Sequence, residues 1–379
     1  MGYMQTSRIS DYALGRDNNF NLLRFAAASA VVLSHSYILA AGERSAAPLT
    51  GSTGHDLGYH AVNVFCSASG FLVAASWLRA PCPIRFLTAR VLRLWPALIL
   101  CTLAIVFAAG PLLTSLPLPA YFVRPETWSF IPGVVSLLGT HLSLPGVMSP
   151  LAFDSAIDAP LWTLKYEFLF YLAIVGLGVL AFLLPRRFIG FAAGVLLLVL
   201  IGASFFAIAH DPTRPWVHIV RFGMCFGFGA FAALFAERIP LSVLGIAAAF
   251  LATVLLAATP AFEFAFCILT AYATLWAAFV PGGVLRGFNR LGDYSYGIYI
   301  YAYPVQLILL KYAPGLSAVS CFLSTMLIVL PLTVASWHLV EQPCLRRKDR
   351  IAGALEEVRR RKALLWPGFR RSAGSSDPI

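Results

Sequence analysis

Arg24 and His35 lie inside one apolar run, Asn18 to Ala41 (NNFNLLRFAAASAVVLSHSYILAA), long enough to cross a bilayer as a helix. Eleven steps of roughly 100° bring the two side chains within about 20° of one another, roughly 16 Å apart along the axis. One face of one helix therefore carries a cation near one end and an imidazole near the other. A charge facing lipid costs roughly 3 kcal/mol or more, so ionisable residues in a span face a bundle interior or a wet cavity and mark a pathway. An imidazole held there can act as a base toward a hydroxyl, and a guanidinium can hold an anionic ligand.

The other apolar runs carry further polar groups. LWTLKYEFLFYLAIVGLGVLAFLL, from Leu161, has Glu167 near its start. HAVNVFCSASGFLVAASWL, from His60, brings Asn63, Ser67, Ser69 and Gly70 toward mid-membrane, where small residues let backbones or a slim ligand approach closely. In PCPIRFLTARVLRLWPALIL, from Pro81, Arg90 and Arg93 are three apart, hence on one helical face. Anchoring at the membrane surface explains such arginines by default. With Arg24 at the same level, three converging guanidiniums also suit a phosphate-rich ligand that ends in a long thin arm.

Composition says what positions these residues. Of 379 residues, 59% are hydrophobic and only 12% charged, with a mean hydropathy of +0.78, which does not fit a soluble globule. The expected fold is an all-α polytopic integral membrane protein. The net charge of +11 does not point to nucleic acid, because a basic patch with stacking aromatics on a soluble fold is absent. Seven scattered cysteines without CxxC spacing imply neither a disulfide framework nor a metal site. No cleavage pattern follows the first apolar run, so it is expected to be retained.

Apolar runs fall near 18–41, 59–79, 94–114, 161–184, 188–209, 217–236, 241–259, 262–280, 294–312 and 317–340, about ten spans of about 20 residues. Alternate connections hold Arg8, Arg16, Arg79, Arg85, Arg90, Arg93, Arg186, Arg187, Arg238, Arg286, Arg290 and a basic tail, against Arg44, Arg124 and Arg214 in the other set. That bias puts both termini in the cytoplasm. The expected organisation is a cytoplasmic segment 1–17, a transmembrane domain 18–347 and a basic tail 348–379 without a soluble domain. Within the tail, IAGALEEVRRRKALLW (351–366) suits an amphipathic helix on anionic membrane lipids. Residues 115–160, rich in Pro, Gly, Ser and Asp, form the longest outer connection and suit either a loop or a cover over an external opening.

With ten spans the first runs inside to outside and the fourth outside to inside, which places His35 and Glu167 at similar depth. A carboxylate and an imidazole at one level relieve each other's burial. The pair suits a base oriented by a carboxylate, or an ion pair that only fixes helix packing.

Arg24 and His35 with ten residues between, FCSASGFL (65–72), ARVLRLWP (89–96), LWTLKYEFLFYL (161–172), LGDYSYGIYIYAYPVQ (291–306) and VEQPCLRR (340–347) occur in the order of one family. The chain resembles a membrane-bound acyltransferase of the acyltransferase-3 family, polysaccharide O-acetyltransferase type. The resemblance implies transfer of an acyl group, usually acetyl from acetyl-CoA on the cytoplasmic side, to hydroxyls of extracytoplasmic saccharides. It implies His35 and Glu167 as catalytic residues, and Arg24, Arg90 and Arg93, with Ser69 and Gly70 of the SGFL motif, at the acyl-CoA site. It departs from many members at Ala302, where they carry a histidine. Asn63 and the tyrosines Tyr299 and Tyr303 are then candidates for an acceptor path, and a bacterial inner membrane is the expected location.

The expected reaction is a handover across the bilayer: acyl-CoA as co-substrate reaches inward from the arginines, and an acceptor hydroxyl gives its proton to His35 with Glu167 in support. Direct attack and an acyl-His35 or acyl-Ser69 intermediate are both open. From the residues alone, a transporter or flippase of a lipid-linked saccharide or an envelope scaffold would fit the polar stripe as well.

Overall fold

The computed structural model describes residues 7–12, 15, 17–139, 143–147, 156–183, 194–195, 199, 202 and 215–365. Helix α1 is Phe20–Ala41; it stops where Gly42 turns left-handed, at a φ of 75°, and its N–H closes on the Ile38 carbonyl, a geometry glycine adopts without steric cost. Helix α2, Leu57–Arg79, starts at Asp56, whose carboxylate accepts the Tyr59 N–H. Helix α3 runs from Pro83 to Leu113 through a π turn at Ile105–Ala109. A 3-10 turn, Ala159–Thr163, leads into α4, Leu164–Leu183. Then come α5 (Pro215–Leu234), α6 (Val243–Leu255), α7 (Phe262–Phe279), α8 (Ser295–Tyr312), α9 (Ala318–Ser336) and α10 (Lys348–Leu365).

Among the described residues seven helices are long and apolar enough to cross a membrane, as an all-α polytopic membrane protein requires. The expected run 188–209 lies largely outside the described residues. The run 241–259 yields only the 13 residues of α6, about 20 Å of helix and too short to cross alone. The run 294–312 is α8, 18 residues whose tyrosines and Lys311 keep it below the apolarity of the seven. The basic tail is helical in α10, which folds back on the start of α3. There Cys82 Sγ donates to Glu356 Oε1 at 3.2 Å, and Arg85 Nε lies 3.4 Å from the same oxygen. The long 115–160 connection begins as two short helices, Leu118–Val123 and Pro125–Val135, pinned by Tyr121 to the Val106 carbonyl and by Trp95 to that of Val135.

Small residues and polar side chains bring the helices together. A Cβ on Gly70 would sit 2.0 Å from the Phe226 carbonyl oxygen, and one on Gly229 would sit 2.2 Å from that of Ser67. The two glycines therefore set the contact between α2 and α5. Helix α8 is bound on several sides: Gln306 donates to the Val32 carbonyl and Ser36 Oγ on α1, Tyr296 to the Leu94 carbonyl on α3, and Tyr301 bonds Ser336 on α9. Pro304 deprives the Ile300 carbonyl of its helical donor, and Cys101 Sγ donates to it instead, at 3.1 Å. Ala302 is buried between α1 and α9 beside Ala28, Val32 and Val329.

One end of the bundle, the arginine end, is closed by a charge network, while Gly42, Asp56 and Glu263 mark the other. Asp293 Oδ2 lies 2.5 Å from Arg24 Nη1 and 2.7 Å from Arg93 Nη2, and Arg93 Nη1 reaches Glu341 Oε2 at 2.8 Å. Ser295 Oγ donates to the other Asp293 oxygen at 2.6 Å. These contacts tie α1, α3, the approach to α8 and the extension of α9 together. Removing one partner of such a pair leaves the others buried and uncompensated, so Asp293→Ala should lose about 3–5 kcal/mol of stability, read as a lowered melting midpoint in detergent. Burial alone would raise the Asp293 carboxyl, but Arg24 and Arg93 outweigh it and hold it at about 2, against an ordinary 3.8. Its folded pKa is depressed, so the stabilisation is complete above pH 3.8 and is lost as the pH falls through about 2. In the Asp293→Ala protein this component of the acid sensitivity should be absent.

Candidate active site

A cavity of about 610 Å³, partly open, lies among α1, α2, α4, α5 and α8. Arg24, Ser69, Glu167 and Tyr296 line it, with Cys66, Thr163, Tyr166, Phe222 and Tyr299. The structure thus brings Arg24, Ser69, Glu167 and Tyr299 of the expected residues to one space. Its polar groups come from α1, α2, α4 and α8, and its apolar wall from Phe222 and Phe226 of α5.

At the arginine end the three expected guanidiniums differ. Arg93 is saturated by Asp293 and Glu341, and rests against the rings of Tyr296 and Trp337, 5.4 and 5.3 Å from its guanidinium carbon. Arg24 shares Asp293 but keeps an unpartnered Nε. Arg90 makes no ion pair among the described residues; its Nη2 donates to Ser76 Oγ at 3.3 Å, its Nε is unpartnered, and its guanidinium carbon lies 5.6 Å from the Tyr171 ring. Tyr171 in turn donates to Glu167. Of the three, Arg90 retains the most capacity for an added anion.

His35 and Glu167 do not stand at one level. The His35 ring meets Tyr303 edge-on, with centroids 5.2 Å apart, and His35 is not among the residues that line the cavity. Tyr299, one turn nearer the arginine end, donates to the Pro160 carbonyl at 3.0 Å and bonds Thr163 at 2.7 Å. Glu167 follows Thr163 by a further turn, so it lies about 12 Å from His35 along the bundle. The cause is local: the turn at Ala159–Thr163 dips into the bundle before α4 begins, which moves every residue of α4 toward the arginine end.

The remaining expected residues divide by burial. Ser69 faces the cavity, whereas Gly70 turns toward α5, where close packing accounts for a glycine. Asn63 is fully buried, with neither side-chain amide atom partnered. Tyr303 is buried against His35. Sequence reasoning missed Asp293, Glu341, Tyr171 and Asp158. The first two stand inside the quoted motifs at 291–306 and 340–347, and the demand of each buried arginine for a countercharge was the signal that could have found them. Asp158 introduces the dipping turn; burial pushes its carboxyl well above the ordinary carboxylate range, and neither oxygen is partnered.

The chain matches the model of the acyltransferase-3 family, described as an acyltransferase domain, over residues 17–338. It is 28% identical over 345 residues to a protein of Shigella phage Sf6 named O-acetyl transferase, an overlap covering 88% of this chain and 98% of the relative. It is 31% identical over 173 residues to nodulation protein 10 of Rhizobium leguminosarum bv. viciae, covering 44% of this chain and 45% of that one. No solved structure matches the chain. The family model spans most of a helical membrane bundle that holds a cavity with Arg24 and Glu167 in its wall: the chain belongs to the acyltransferase-3 family.

Proposed function

We propose that the protein is a membrane O-acetyltransferase that moves an acetyl group from acetyl-CoA, or another acyl-CoA, to a hydroxyl of an extracytoplasmic or lipid-linked saccharide. The observation that carries this reading is a mainly apolar cavity with Arg24, Ser69 and Glu167 in its wall, within a membrane bundle of the acyltransferase-3 family. The name of the phage relative supports acetyl as the group transferred. The excess of Lys and Arg at the arginine end supports a cytoplasmic position for that end, and the sources of the two relatives support a bacterial inner membrane.

The nucleotide end of the donor then meets Arg90 and Arg24, and its arm extends through the cavity toward the imidazole of His35, roughly 16 Å beyond Arg24. His35 removes the proton from the acceptor hydroxyl as its oxygen attacks the thioester carbonyl. The new C–O bond forms, the C–S bond breaks, and the leaving thiolate takes up a proton. Glu167, about two turns from His35, acts on the donor side: with Tyr171 and Arg90 it lines the route of the arm. No acyl-enzyme is required.

In membranes or detergent, His35→Ala should lower acetyl transfer by at least about 100-fold, the usual contribution of a general base, without loss of folded protein. Near wild-type turnover in that variant would overturn the mechanism. Glu167→Gln should raise the KM for acyl-CoA and leave the pH profile of kcat unmoved; a displaced profile would return Glu167 to the support of His35. Arg90→Ala should weaken acyl-CoA binding by about 10–100-fold, from the loss of a charge-assisted contact of about 1.5–3 kcal/mol, with the KM for the acceptor unchanged. Unaltered donor binding would leave Arg90 as a membrane anchor.

A further inference from the structure

Arg221 lies on α5, toward the end of the bundle opposite Arg24 and Asp293, and is only 8% exposed. Its Nε and Nη1 are unpartnered, and among the described residues it forms no ion pair. Arg24 and Arg93, by contrast, are neutralised by Asp293. Two carboxylates at this end are bonded by other groups: Tyr59 donates to Glu263 at 2.9 Å and His55 Nε2 lies 3.3 Å from it, while Asp56 accepts from Ser34 Oγ at 3.2 Å and from the Tyr59 N–H at 2.7 Å. What Arg221 has instead is two aromatic walls. Its guanidinium carbon lies 3.7 Å from the centre of the Tyr59 ring and 4.4 Å from that of Phe222.

Aromatic faces relieve part of the burden of a buried cation, but they leave Nε and Nη1 of Arg221 without a partner. A guanidinium fixed between rings with donors unused is a preformed fork for a planar carboxylate or a phosphate. The site adjoins the cavity, because Phe222 is both a wall of Arg221 and a lining residue of that space. From Phe222 the aromatic surface continues to Trp162, with ring centres 5.6 Å apart, and on to His218, 4.7 Å from Trp162. Trp162 and His218 are half-buried. An aromatic surface beside a charged fork offers one contact for the C–H face of a sugar ring and another for an acidic substituent on it.

We infer that Arg221, held between Tyr59 and Phe222, binds an anionic group of the acceptor, either a sugar carboxylate or the phosphate that joins a saccharide to a lipid. Trp162 and His218 pack against the adjoining sugar. The inference rests on the reading of the protein as a saccharide acyltransferase and narrows the acceptor to an acidic one. It makes Arg221 a specificity residue and assigns it no part in bond making.

The test uses the full-length protein in lipid nanodiscs and measures binding by calorimetry without donor. A galacturonate tetrasaccharide is compared with its carboxyl-reduced form, and a neutral tetrasaccharide on a prenyl diphosphate with the same sugar on the uncharged prenyl alcohol. The wild type should bind one anionic member at least tenfold more tightly than its neutral counterpart, and which pair shows the preference identifies the source of the anion. R221Q should bind both members of that pair equally and weakly, while R221K retains part of the preference. If R221Q does not fold, the wild-type comparison and R221K still decide. A wild type without preference in either pair, or an R221Q or R221K protein with the full wild-type preference, would overturn the inference. Acetyl-CoA turnover measured in parallel separates the two readings. Anion preference with no acetyl transfer to any saccharide sinks the enzymatic reading and leaves the anion site, whereas transfer without preference sinks only the site.

Discussion

Charge that must be buried shapes this protein more than any other term. Arg24 and Arg93 project from two helices into the interior of a membrane bundle, and neither position is tolerable without a countercharge. Asp293, ahead of α8, and Glu341, beyond α9, provide it. Four segments distant in sequence are thereby held at one end of the bundle by three short contacts around Arg93 and Asp293. The arrangement is specific because it is costly to break: apolar contacts between helices in lipid can slide, since the surrounding chains are as apolar as the helices themselves, whereas a misplaced partner here exposes a bare charge. The depth of α1 relative to α8 follows, and with it the placement of His35 beside Tyr303.

Helix α8 transmits that constraint along the bundle. Its tyrosines are bonded to carbonyls and hydroxyls of other segments, Tyr296 to Leu94, Tyr299 to Pro160 and Tyr301 to Ser336. The carbonyl that Pro304 releases is taken by Cys101. Most of these hydroxyls are therefore occupied in holding the helices, and only Tyr296 and Tyr299 also border the cavity. The bond from Tyr299 to the Pro160 carbonyl matters most for the chemistry. It holds the turn at Ala159–Thr163 inside the bundle, starts α4 at depth, and so brings Glu167 to the level of Arg24 and Tyr296.

What was legible in the sequence was what one helix can encode. The membrane class, the positions of the long apolar helices, and the common face of Arg24 and His35 depend on composition and on a fixed rise per residue, and the structure has all three. The short α6 shows the limit, because an apolar run of sufficient length was divided by turns at both ends. Glu167 was misplaced in depth because its level is set by where α4 begins, and that start depends on a tertiary bond from Tyr299 that no periodicity reveals. Asp293 and Glu341 stand inside recognisable motifs, yet nothing local to either marks it as the partner of an arginine. Partner choice between distant segments is not a local property of either one.

The separation of Glu167 from His35 changes how the two residues can share the work. An imidazole supported by a carboxylate at hydrogen-bond distance has its tautomer and orientation set by that carboxylate; one that is about 12 Å away receives neither. His35 meets the packed face of α8, where Tyr303 lies edge-on against it. Glu167, bonded by Tyr171 under the guanidinium of Arg90, belongs electrostatically with the arginines. Arg90 has no carboxylate of its own among the described residues, so Glu167 and Tyr171 are the polar groups that face its guanidinium from α4.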